Sequence, residues 1–201
     1  MGRTEKRIQD AALRLFAERG VTQVTVSELA EAAGVARGTI YNNFENVDSL
    51  FEDVATGLTS EMGSRIATSS VQTKDPAQRL ADGIRFFVRR AHEEPLWGRF
   101  LIRFGPSTPT LLELLQSAPS GEVKLGIQLG EFSIGEDQIP AAVGMMSAGV
   151  LAAVSLVLEG HRTWRDAGAD AVELFLRALG MSREAARALA TSELPPLMPG
   201  E

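Results

Sequence analysis

Apolar residues recur at helical spacing along almost the whole chain, and no alternating run is long enough to specify a strand. Over residues 4–19, Ile8, Ala12, Leu15 and Phe16 share one stripe and Gly20 offers a C-cap. Residues 21–26 contain strand-like side chains but lead straight into helix signals. Thr25-Val26-Ser27-Glu28 is a capping box, with a hydroxyl for one free amide and a carboxylate able to reach back. It opens a short helix through Leu29, Ala30 and Ala33 that Gly34 stops. A third short helix is predicted from about residue 36 to 43. A fourth starts near Val47 or Asp48 and carries Leu50, Phe51, Val54 and Leu58, with Met62 and Ile66 extending the stripe.

A polar stretch, 67–75, breaks the pattern before Pro76 starts a helix that runs to about residue 94 and stops at Pro95. Short helices follow over 95–104, 110–117 and 121–132, then a long apolar helix over about 137–160. Two more are expected near 169–179 and 182–191, before a Pro-rich tail, 194–201, expected to fray. The chain reads as all-α.

Composition narrows the chemistry. A chain of 201 residues can bury a core without staples, and the absence of cysteine excludes disulfides, thiolate metal sites and cysteine nucleophiles. Two histidines leave little for a metal site. There is no basic region followed by an apolar one at the start, and Lys6 stands where a myristoylation motif needs Ser or Thr. A cytoplasmic protein is expected. Residues 139–158 carry no charge and are long enough to span a bilayer, yet Ala, Gly and Ser fill about half of them. Neither a Lys/Arg cluster nor an aromatic belt marks either end, so burial within protein, inside the chain or against a second subunit, is expected rather than a membrane.

Residues 25–44 carry the sharpest signal. Two short helices joined at Gly34-Val35 form a helix-turn-helix, because glycine accepts the positive φ of the corner. Ala30 and Ala33 are small enough for crossing helices, and Ile40 points to the core. Arg37, Thr39, Tyr41, Asn42 and Asn43 face away, with side chains suited to base edges or phosphates. On spacing alone, an ordinary helical hairpin with a polar outer face fits equally.

GVARGTIYNNF, residues 34–44, resembles the recognition-helix signature of the TetR/AcrR family of transcriptional regulators. The stripe from Ile8 to Phe16, Gly20 and the run Thr25-Val26-Ser27-Glu28-Leu29-Ala30 match that family's N-terminal domain in order and spacing, over residues 4 to about 58. The resemblance implies a homodimer binding a palindromic operator and responding to a small-molecule effector. Base-reading positions would fall on Arg37, Gly38 and Thr39, with Tyr41 near a thymine methyl or a phosphate. Phosphate contacts would fall on Thr25, Asn42 and Asn43, and Ser27 matches a position that reads a base in some members. Arg37 can hold guanine O6 and N7 in a fork. Val47 departs from the family, which commonly has Lys there. Residues 1–50 hold six Lys/Arg and seven Asp/Glu, so favourable charge is local: Arg3, Lys6, Arg7 and Arg37. Few phosphate contacts are therefore expected.

The remainder holds 14 Lys/Arg and 19 Asp/Glu and is a poor surface for DNA. Phe86, Phe87, Trp97, Phe100 and Phe104 cluster there, and Phe86, Trp97, Phe100 and Phe104 are candidates for an effector pocket as well as for plain core. Arg99 and Arg103 share the helix of Phe100 and Phe104 and could meet an effector carboxylate or simply face solvent. Gly144, Ala148 and Ala152 recur every four residues, a flat strip suited to a helix of a second subunit or of the same one. No phosphate loop, HExxH, GxSxG or GxGxxG is present, and His92 and His161 have no nucleophile or metal partner in sequence. No catalytic residue, metal or cofactor is expected.

The expected architecture is an N-terminal three-helix domain with a helix-turn-helix, residues 1–48, and a larger helical domain, residues 49–201, for effector binding and a dimer bundle. The expected function is a ligand-responsive repressor. The alternative, motivated by the acidic head and Val47, is a helical ligand-binding or interaction protein with little specific DNA affinity.

Overall fold

The computed structural model describes residues 3–70 and 73–198; Met1 and Gly2, at which a myristoylation motif would begin, and the last three residues of the tail lie outside them. Ten α-helices account for the described architecture, with no strand among them: α1 Arg3–Arg19, α2 Val26–Ala33, α3 Arg37–Asn43, α4 Val47–Ser69, α5 Pro76–Glu93, α6 Pro95–Phe104, α7 Pro109–Gln128, α8 Ile139–Leu158, α9 Trp164–Ala178 and α10 Arg183–Thr191. The strand-like residues after α1 form a 3-10 turn, Val21–Gln23.

α1 packs on α2, α4 and α6, and α2 on α3. α5 is the axis of the body and touches α6, α7, α8, α9 and α10. Its start is set by Asp75, whose carboxylate accepts from the amides of Ala77 and Gln78, with Pro76 in the first turn where no N–H is needed. α4 runs unbroken from the head into the body, across the boundary expected at residue 48. Leu50, Phe51 and Val54 bury against the head, while Met62 buries further along. One continuous core joins the two parts.

Three expectations change. The short helices over 110–117 and 121–132 are one helix, α7, with Pro119 inside it. Proline has no N–H for the Leu115 carbonyl one turn back, which would ordinarily break the helix. The Ser147 hydroxyl of α8 donates to the Val143 carbonyl of its own helix at 2.8 Å and lies 3.3 Å from the Leu115 carbonyl, so its one proton is shared unequally between them. α7 ends at Gln128, and Phe132 folds back onto Gly126, where an added Cβ would collide with the ring. α9 begins earlier than expected because Thr163 caps it, accepting from the Asp166 amide at 3.1 Å. The tail does not fray over its described length: the Met198 amide donates to Ser69 Oγ at 2.9 Å, Arg65 Nε donates to the Met198 carbonyl at 3.1 Å, and Leu194 and Leu197 pack on the core.

Candidate nucleic-acid interface and effector cavity

The helix-turn-helix is built as its residues dictate. Thr25 caps α2 reciprocally: Glu28 N donates to Thr25 Oγ1 at 3.3 Å, and the Thr25 amide and hydroxyl donate to Glu28 Oε2 at 2.9 and 2.8 Å. Arg19 pairs with the same carboxylate at 2.9 Å. The Thr25 bonds, and then Arg19, hold the Glu28 carboxyl below its ordinary 4.5. Gly34 ends α2 at φ 63°, ψ 42°, with the Val35 amide donating to the Ala30 carbonyl at 2.9 Å. Arg7 closes the corner from α1, donating to the carbonyls of Ala33 at 2.6 Å and Gly34 at 3.0 Å. Ala30, Ala33 and Ile40 are buried at the crossing of α2 and α3.

The outer face of α3 is open. Arg37, Gly38, Tyr41, Asn42 and Asn43 are exposed, Tyr41 by 62%, and Thr39 is half-buried. Arg37, Tyr41 and Asn42 make no hydrogen bond or ion pair among the described residues, whereas Asn43 Nδ2 donates to the Thr39 carbonyl at 2.7 Å. Thr25 is exposed and Ser27 half-buried at the start of α2. Val47, where a cation was absent, is half-buried against the core. Of the local cations, Arg3, Lys6 and Arg37 stay exposed and unpaired among the described residues, but Arg7 is committed to the corner.

The aromatic cluster divides. Phe16 of α1, Phe51 of α4, and Phe100 and Phe104 of α6 stack edge to face and tilted, with ring centroids 4.9–5.7 Å apart. Phe100 and Phe104 thus form the joint between head and body. Trp97 lies 5.7 Å from Phe87 and under the Arg90 guanidinium at 4.7 Å, and Phe86 is fully buried. Arg103, read above as an effector contact or a solvent-facing cation, reaches the carbonyls of Glu18 at 3.3 Å and Arg19 at 3.1 Å, capping the last turn of α1. Arg99 is exposed.

A cavity of about 540 Å³ opens between α4, α5, α7 and α8. Its apolar wall includes Ile66, Leu80, Ile84, Phe87, Leu114 and Met146. Phe86, Trp97, Phe100 and Phe104 do not line it; Phe87 does, and touches Trp97. At one edge stand Ser70, Arg79 and Glu122, with Arg79 Nη2 paired to Glu122 at 2.5 Å and Nη1 donating to the Thr73 carbonyl at 3.0 Å.

Beside the cavity, α4 is clamped to the α5–α6 junction. Arg90, 1% exposed, donates to Glu61 at 2.8 Å and Glu94 at 3.2 Å, and Arg65 reaches the same two carboxylates at 3.3 and 3.0 Å. Sequence reasoning missed this clamp. The Glu61–Arg65 and Arg90–Glu94 spacings were visible, but not that the two helices meet.

α8 buries only one face: Val143, Met146, Ser147, Val150, Ala153 and Val154 point into the core. The helical stretch Glu136–Leu158 is long and apolar enough to cross a membrane, and 33% of its apolar window is buried within the chain. Gly144 is half-buried and Ala148 and Ala152 are exposed. With Met145 (66% exposed) and Leu156, and Leu174 of α9 (64% exposed), they leave an apolar face over α8 and α9. A groove of about 330 Å³ lies in it.

The sequence model described as "Bacterial regulatory proteins, tetR family" matches residues 8–54, and that described as "Tetracyclin repressor-like, C-terminal domain" matches residues 75–192. An uncharacterised HTH-type transcriptional regulator of Mycobacterium tuberculosis is 33% identical over 89 residues, 44% of this chain and 44% of the relative. The HTH-type transcriptional repressor KstR2 of Rhodococcus jostii is 37% identical over 60 residues, 30% of this chain and 28% of the relative. The matched stretch thus spans less than half of each of these curated relatives. Among solved structures, RolR in complex with resorcinol superimposes with a TM-score of 0.74 at 28% identity, covering 97% of this chain and 96% of that one.

Proposed function

The chain belongs to the tetR family of bacterial regulatory proteins, and on that premise we propose that it is a ligand-responsive repressor that binds a palindromic operator as a homodimer. The observation that carries the reading is the open face of α3, where Arg37, Tyr41 and Asn42 are exposed and unpaired beside a rigidly capped corner. Residues 1–48 act as the reading head and 49–201 as the effector and dimer domain. Arg37, Gly38 and Thr39, with Ser27, face base edges; Thr25, Tyr41, Asn42 and Asn43 position the head on the backbone.

The apolar face of α8 and α9, including Gly144, Ala148 and Ala152, packs on the same face of a second copy, an isologous contact that orients two heads as a palindrome requires. A soluble partner, not a bilayer, covers α8, and the protein works in the cytoplasm without a catalytic step. The effector occupies the cavity between α4, α5, α7 and α8. Because α4 continues into the head, a ligand that favours one placement of α4 shifts the population of head spacings. RolR, similar along nearly its whole length, holds resorcinol, which supports an effector role for a small organic molecule here.

The test is capture of genomic fragments from the source organism by purified full-length protein at about 0.15 M salt, near physiological ionic strength. Enriched fragments sharing an inverted repeat are expected. Fragments retained no better than random DNA overturn the reading and leave a helical ligand-binding protein.

A further inference from the structure

The geometry points to an uncharged effector: an apolar molecule with a hydroxyl at one end, seated with that hydroxyl at Arg79, Ser70 and Glu122. The inference rests on the reading of the 540 Å³ cavity as the effector site. Two polar atoms at this edge are shielded from solvent and have no hydrogen-bond partner, Arg79 Nε and Ser70 Oγ. Buried polar groups without partners are rare in folded proteins, and a water, an ion or a ligand polar atom is what satisfies them. Arg79 Nε–H is a donor only, the Ser70 hydroxyl both donates and accepts, and Glu122 accepts. A ligand hydroxyl has the valences for all three, accepting from Arg79 Nε and Ser70 Oγ on its two lone pairs while donating its one proton to Glu122.

Charge decides against an acid. The arginine beside the cavity looks like a carboxylate receptor, but its Nη2 is paired to Glu122 and its Nη1 to a carbonyl. The pair is neutral as a unit. A carboxylate ligand would bring a second negative charge next to Glu122 in a mostly apolar cavity, without a free cation to offset it. An alcohol brings none. The rest of the wall, from Ile66 to Phe87 and Met146, suits an alkyl or aryl body.

The probes are octanol and octanoate, which share a chain length and differ at the end that matters. Binding to full-length protein at neutral pH is followed by calorimetry, with Trp97 emission as a local reporter through Phe87. Octanol is expected to bind at least about tenfold more tightly than octanoate, a difference well above measurement error. Glu122→Gln, which removes the balancing charge, is expected to close or reverse that gap. Gly83→Leu, placed where an added Cβ meets nothing within 4 Å on the cavity wall, is expected to abolish binding of both. Octanoate binding as tightly as octanol, or no saturable binding of either, overturns the ligand class. Octanol affinity unchanged by Gly83→Leu places the binding elsewhere and overturns the cavity reading itself.

Discussion

Arg37 is the one long cation on α3, and its whole fork is available. Arg37→Ala is expected to weaken operator binding by about 1–3 kcal/mol and to relax base preference at one position per half-site. Titration against operator duplexes varied one base pair at a time measures both. Gly34 is required for a different reason. At φ 63° an L side chain is strained by about 1–2 kcal/mol, and a Cβ would also stand 2.7 Å from Arg7 Nη2. Gly34→Ala is expected to lower stability in urea by at least that strain. Glu28 gives a pH signature. Its folded pKa is depressed, so its stabilisation is present above 4.5 and is lost as pH falls through the folded value. Glu28→Gln should therefore be less stable than the parent at neutral pH, with the gap closing on acidification below that range. Each of these roles was legible in sequence except the reach of Arg7, which joins residues 26 and 27 positions apart.

At the scale of elements, the capping signals were readable and the tertiary rescues were not. Thr25, Gly34, Pro76 and Pro95 each mark a helix end where local chemistry places it. Pro119 is the counter-example, since its local signal is helix-breaking and the side chain that packs against the carbonyl it leaves open, Ser147, sits on α8, 32 residues away. Ser147→Ala removes this shared hydroxyl and is expected to destabilise by about 0.5–1.5 kcal/mol in chemical denaturation. Phe100 and Phe104 show the same limit. Helical spacing identified an aromatic surface on α6, but whether it faces a cavity or the head depends on how α1 and α4 pack. The cavity instead takes its wall from four helices, whose shared space no single periodicity reveals.

For the whole molecule, the unburied side of α8 is the largest departure from a self-sufficient fold. An apolar helix with most of one long window uncovered is a poor end state in water, and in the proposed dimer the grooved apolar face it shares with α9 packs on a copy of itself. Leu174→Glu is expected to give a monomer by light scattering, folded by circular dichroism, and with much weakened operator affinity. The head's acidic balance makes pairing more important still, because a single head has few cations with which to hold DNA. Selection of sites from a random double-stranded DNA pool by the full chain tests the central claim most directly. Two inverted half-sites, with centres spaced by about 10 base pairs or a multiple, are the predicted result. No enrichment from folded protein, or enrichment of a single unpaired half-site, would contradict it.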